Sequence, residues 1–183
     1  MFIRLIVHLT RIFVGAMFIF SGFVKLVDPI GSQYKFEEYF GEGVLNLEFL
    51  IPYALPFSIV LIMVEIMLGV SLLLGYKPKG TVLSLLGLTT LFLFLTWYSA
   101  YYNKVTDCGC FGDAIKLTPW ETFWKNVVLI GLILLLLFRV QNVREIFSKK
   151  LSTFLILVAL FSFSYTTYHV LNHLPIIDFR AYA

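Results

Sequence analysis

Two thiols separated by a single glycine are the residues best suited to chemistry in this chain. They lie in Asp107-Cys108-Gly109-Cys110-Phe111-Gly112-Asp113 and are its only cysteines. A disulfide between them needs Cα atoms within about 7 Å and a suitable S–S torsion. Gly109 gives the backbone freedom to approach that geometry, and the short ring leaves residual strain. Strained, exposed disulfides are the labile and catalytic ones, so the spacing suits thiol–disulfide exchange better than bracing. Asp107 and Asp113 act in the opposite direction, because their charge disfavours a thiolate. The same pair also fits half of a metal site, or two inert small residues.

His169 and His173 are four residues apart and share a helix face. With Cys108 and Cys110 they make an allowed ligand set for zinc or copper. The plainer reading is a polar helix end meeting lipid headgroups, with Asn172 beside them. Glu65 stands alone in Met63-Val64-Glu65-Ile66-Met67. A charge at that depth in a membrane costs at least about 2.5 kcal/mol and faces the bundle interior. It fits a proton carrier, a hydrogen-bonding group for a quinone, or the partner of a buried cation. Arg11 is the candidate cation, with His8 one turn before it, and a purely structural buried pair is the rival reading. Lys25 falls near the end of its segment, where it can snorkel to the interface. Gly15, Gly22, Gly69 and Gly87 are small enough to let helices approach closely. No nucleotide-binding loop, HExxH pair or serine-nucleophile motif occurs.

These residues must be positioned by membrane helices. The chain is 60% hydrophobic and 14% charged, where a soluble domain carries about 25% charged residues. Five apolar segments stand out: Ile3 to Leu26, Tyr53 to Gly75, Thr81 to Tyr101, Pro119 to Phe138, and Leu151 to Leu171. Each approaches the ~20 residues that cross a hydrocarbon core as a helix, and helix is required because lipid offers the backbone no partners. The predicted fold is an all-α membrane protein: a four-helix transmembrane bundle over residues 1–140, then a linker and a fifth C-terminal transmembrane helix over 141–183. No small-residue cleavage site follows the first apolar stretch, so it reads as a retained helix. The chain stops at Ile177-Asp178-Phe179-Arg180-Ala181-Tyr182-Ala183, just after the fifth segment, which is compatible with an extramembrane tail or domain in a longer chain.

The breaks are legible too. Asp28-Pro29-Ile30-Gly31 ends the first helix, and Tyr76-Lys77-Pro78-Lys79-Gly80 is a basic turn. Thr118-Pro119-Trp120-Glu121 carries a capping Thr, a Pro at the first helical position and a Glu placed to bond back. Glu121 and Lys125 are then spaced to pair. Gln33 to Leu50 reads as one or two short amphipathic helices on the outer membrane face. Arg4, Lys77, Lys79, Arg139, Arg144, Lys149 and Lys150 gather on one side, while the opposite loops dilute their lysines with acidic residues. The positive-inside rule puts the dense side in the cytoplasm, and with it the N-terminus. The cysteine loop and the C-terminus are then periplasmic. Tyr98, Tyr101, Tyr102, Trp120 and Trp124 fit an interfacial belt there. The net charge of +3, with no long basic run, excludes nucleic acid as a partner.

Phe20-Ser21-Gly22-Phe23-Val24-Lys25-Leu26 and Glu65-Ile66-Met67-Leu68-Gly69 resemble the DoxX superfamily of small bacterial membrane proteins. Cys108-Gly109-Cys110-Phe111-Gly112, before the Thr118-capped helix, looks more like its MauE-type branch. The resemblance spans about residues 1–140. It implies a four-helix core, residence in the bacterial inner membrane and a redox role, since MauE-type proteins are linked to disulfide formation in periplasmic partners and DoxX to a quinol oxidase. The likeness to vitamin K epoxide reductase is architectural: that enzyme relays electrons through additional cysteines, and this chain has one pair. The leading expectation is a quinone-linked thiol–disulfide membrane protein, with Cys108 and Cys110 exchanging electrons with a periplasmic thioredoxin-like protein or tail domain. The rivals are a non-catalytic structural or assembly subunit docked to other membrane subunits, and a small transporter that uses Glu65 for protons.

Overall fold

A computed structural model describes residues 2–42, 45–102, 117–143 and 145–173. Those residues form helices α1 (Phe2–Val27), α2 (Pro29–Phe40), α3 (Ala54–Leu74), α4 (Pro78–Tyr102), α5 (Pro119–Phe138) and α6 (Lys149–Asn172), with 3-10 turns at Glu48–Tyr53 and Val140–Asn142. Five of the helical stretches are long and apolar enough to span a membrane: Ile3–Val27, Glu48–Leu74, Pro78–Tyr102, Pro119–Phe138 and Lys149–Asn172. The chain is an all-helical, multi-pass membrane protein.

α1 packs on α3, α3 on α4, α4 on α5 and α5 back on α1, which closes a four-helix ring. α6 leans on α3 and α1 from outside, with most of its surface uncovered. α1 and α3 come closest. A methyl group added at Gly69 would lie 2.9 Å from the Gly15 carbonyl oxygen, and one at Gly15 would lie 2.6 Å from Leu73 Cδ2. Gly22 meets Ile66 and Ile62 in the same way. Gly87, expected to act alike, has open space around it and supports no close approach. Helix association in lipid relies on such contact, because burial against lipid tails supplies little drive.

The end of the bundle that holds the N-terminus is filled by apolar side chains. Val7, Val14, Leu72, Val82, Leu85, Ile133 and Leu136 are all buried there in one cluster. α3 stops at Gly75, whose φ of 71° is a left-handed conformation that glycine adopts without strain. α4 starts at Pro78, three residues before the apolar run, since proline at a first helical position loses no hydrogen bond.

At the opposite end, Asp28 accepts from Gly31 N at 3.0 Å and, with Pro29, starts α2 directly after α1. α2 therefore begins before the amphipathic stretch read from sequence and ends at Phe40. Its aromatic face packs on α3: Phe36 and Phe40 meet the Phe57 ring at 5.0 and 5.8 Å. α5 begins with the expected capping box, in which Glu121 N donates to Thr118 Oγ1 at 3.3 Å and Thr118 N to Glu121 Oε2 at 2.8 Å.

Candidate functional site

Each helix of the ring carries polar residues at helical spacing on its buried face. α1 brings Ser21 and Lys25, four apart, and α3 brings Ser58 and Glu65, seven apart. α4 brings Thr89 and Thr96, also seven apart, and α5 brings Thr122 and Asn126, four apart. All but Ser21 are buried. Residues so spaced lie on one face, and the ring turns the four faces toward each other.

The charged centre is a buried ion pair. Lys25 Nζ donates to both carboxylate oxygens of Glu65, at 2.7 and 2.9 Å, and Ser21 Oγ reaches Glu65 Oε2 at 3.5 Å. Neither Lys25 nor Glu65 is more than 5% exposed. Glu65 thus faces the other helices, but its cation is Lys25 and not Arg11. The direction of the side chain explains this. Helical Cα–Cβ bonds tilt toward the helix N-terminus, so a lysine in the last turn of α1 reaches back into the bundle. A lysine in a first turn would have snorkelled outward. Glu65 lies eleven residues into α3, about 16 Å along the helix, and the downward reach of Lys25 meets it there.

Arg11 is buried at the other end, where Nε donates to the Leu72 carbonyl at 2.8 Å and the guanidinium also to the Leu73 carbonyl. These are carbonyls in the last turn of α3, where a cation suits the helix dipole; the Leu72 carbonyl also accepts from Gly75 N at 3.1 Å. Arg11 therefore holds α1 to the end of α3 and is remote from Glu65. His8 is exposed.

Two adjoining cavities flank the ion pair and share Lys25 and Phe92 as lining. One lies among α2, α3 and α4, with Phe36, Tyr39, Ser58, Leu61 and Thr96 in its walls. The other lies between α1, α4 and α5, with Ser21, Glu65, Thr89 and Asn126. Lys25 Nζ stands 5.0 Å from the centre of the Phe92 ring, a cation–π contact. Thr96 Oγ1 donates to the Phe92 carbonyl at 2.8 Å and accepts from Asn126 Nδ2 at 3.4 Å. Ser58 Oγ, fully buried in the first cavity, has no hydrogen-bond partner among the described residues.

Cys108 and Cys110 lie outside the described residues. Their segment leaves from Tyr102 at the end of α4 and rejoins at Leu117 before α5. It is therefore tethered to the end of the bundle that holds α2 and the first turns of α3. His169 and His173 stack on each other with ring centres 4.6 Å apart, and His173 Nδ1 lies 3.2 Å from the His169 carbonyl. Among the described residues no three groups of metal-ligating type converge.

The family described as Methylamine utilisation protein MauE matches residues 3–139. The match takes in the whole four-helix ring and ends before α6. Protein TlpB of Flavobacterium psychrophilum is 26% identical over 141 aligned positions, which cover 69% of this chain and 37% of that protein. The chain thus spans little more than a third of that relative's length. No solved structure matches it.

Proposed function

We propose that this chain, which belongs to the MauE family, is a bacterial inner-membrane thiol–disulfide redox protein that exchanges electron pairs between periplasmic partners and a quinone. Cys108 and Cys110 are its reactive pair. When they are oxidised, two thiols lose two electrons and two protons and one S–S bond forms. A quinone takes up the same two electrons and two protons to become a quinol. The disulfide is then passed by thiol exchange to the dithiol of a thioredoxin-like partner, which is oxidised as Cys108 and Cys110 are reduced. The positive-inside pattern puts the N-terminus in the cytoplasm and the cysteine segment outside.

The observation that carries this reading is the location of the polar cavities. The first lies against α2 and the first turns of α3, at the end of the bundle to which the cysteine segment is tethered, and the second lies deeper, beside the buried ion pair. An apolar pocket with a few convergent polar groups is the usual form of a small-molecule site. The test is a redox titration of the protein in nanodiscs, with thiol alkylation read by mass spectrometry. Both cysteines should be protected after oxidised quinone is added and free after a reduced thioredoxin-like protein is added. Cysteines that stay reduced and unreactive toward both would defeat the redox reading and favour a structural subunit. Reporter fusions at Lys79 and Lys149 should read cytoplasmic, and one at Lys116 external.

A further inference from the structure

The first cavity holds two hydrogen-bond donors with unfilled capacity, and they belong to different helices. Ser58 Oγ is fully buried and has no partner among the described residues. A hydroxyl buried in that state is costly unless something accepts from it. Lys25 has three ammonium protons. Nζ donates to both carboxylate oxygens of Glu65, which leaves capacity for one further acceptor, and stands 5.0 Å from the centre of the Phe92 ring. The other walls of this slot are mainly apolar and partly aromatic, from Phe36, Tyr39, Leu61, Ile62 and Leu95, with Ser32, Lys35 and Thr96 at their edges.

The charge balance narrows the ligand. Lys25 is neutralised by Glu65 through two short contacts. An anion would compete with that carboxylate and be repelled by it, whereas a neutral acceptor uses only the unfilled N–H. Lys35, which also lines the slot, lies 3.4 Å from Glu38. The chemistry that fits is therefore an uncharged, flat ring carrying carbonyl oxygens.

We infer that the slot bounded by α2, α3 and α4 binds the headgroup of a quinone, with one ring carbonyl accepting from Lys25 Nζ and Ser58 Oγ. The inference rests on the redox reading above for its biological purpose, but its geometry does not involve the cysteines. Lys25 and Ser58 hold the carbonyl oxygen, and Lys25 stabilises negative charge as it develops there. Glu65 keeps Lys25 aimed through its two contacts. The apolar walls exclude water from the ring.

Photolabelling in nanodiscs tests the assignment, with an azido-benzoquinone as probe, decylubiquinone as competitor and octanoate as an anionic control. Labelled peptides should come from Pro29–Phe40, Ala54–Leu74 and Pro78–Tyr102, and decylubiquinone should suppress them while octanoate does not. Ser58→Ala should weaken competition about fivefold, the effect of one lost hydrogen bond, and Ser58→Leu should abolish specific labelling by filling the slot. If Ser58→Leu fails to fold, Ser58→Ala with Leu61→Phe, which narrows the slot from another wall, serves in its place. The double variant Cys108→Ser/Cys110→Ser should label like the parent. Labelling scattered over lipid-facing residues and insensitive to Ser58 would overturn the assignment, as would equal competition by octanoate. Normal labelling beside thiols that never react would leave the slot standing and remove the electron-transfer reading.

Discussion

The two ends of the bundle each bury one cation from α1 and use it differently. At the end that holds the N-terminus, Arg11 binds backbone carbonyls of α3 inside a tightly filled apolar cluster. At the other end, Lys25 binds a side-chain carboxylate between two cavities. A guanidinium on main-chain oxygens has no proton to exchange with them, so that contact is a fixed fastener. An ammonium on a carboxylate joins two side chains beside space for a ligand. The same helix thus supplies a fastener at one end and a responsive centre at the other.

The sharpest test of this contrast is to break the ion pair from one side. Lys25→Met or Glu65→Leu alone should destabilise the protein by about 3–5 kcal/mol, because each leaves a buried charge without its partner. The double variant should recover most of that loss while quinone labelling remains lost. Thermal unfolding in detergent, run as a double-mutant cycle, measures the recovery. If the double variant is as unstable as either single one, the pair is not the isolated responsive unit described here.

At the other end, Arg11→Met should cost about 2–3 kcal/mol, the worth of charge-assisted hydrogen bonds to the end of α3. It should leave quinone labelling unchanged, since Arg11 lies away from both cavities. A loss of labelling without unfolding would erase the distinction between the ends. Smaller still, Thr118→Ala removes a helix cap and should lower stability by about 1 kcal/mol. Hydrogen exchange should show that loss confined to the first turn of α5.

The smallest expected change in stability is at Ser58. Its hydroxyl has no partner among the described residues to lose, so Ser58→Ala should shift the unfolding midpoint by less than Thr118→Ala does. A large destabilisation would mean that the hydroxyl is already engaged, and the ligand slot would lose one of its two donors.

The helices were legible from sequence because lipid permits few alternatives. Segment length, the Asp28-Pro29 break and the Thr118-Glu121 box each have one local physical reading, and each appears as expected. The partner of Glu65 was less legible, because it depends on which residues of a distant segment fall at the same depth. Arg11 suited the charge but lies in the wrong layer. The distance of Lys25 from the helix end points to the interface, whereas the tilt of its side chain carries the ammonium back into the bundle. A usable signal was present in the polar pairs at four- and seven-residue spacing on all four ring helices, which mark one shared interior face. The empty surroundings of Gly87 show the limit of composition: a small residue permits close approach, and only the packing decides whether it happens.

The glycine contacts between α1 and α3 also restrict motion. With the carbonyl of Gly15 set against Gly69 and Gly22 set against Ile66, the two helices have almost no freedom to slide or rotate past each other. Lys25 and Glu65 are mounted on that block, so their separation is held constant while the rest of the bundle breathes.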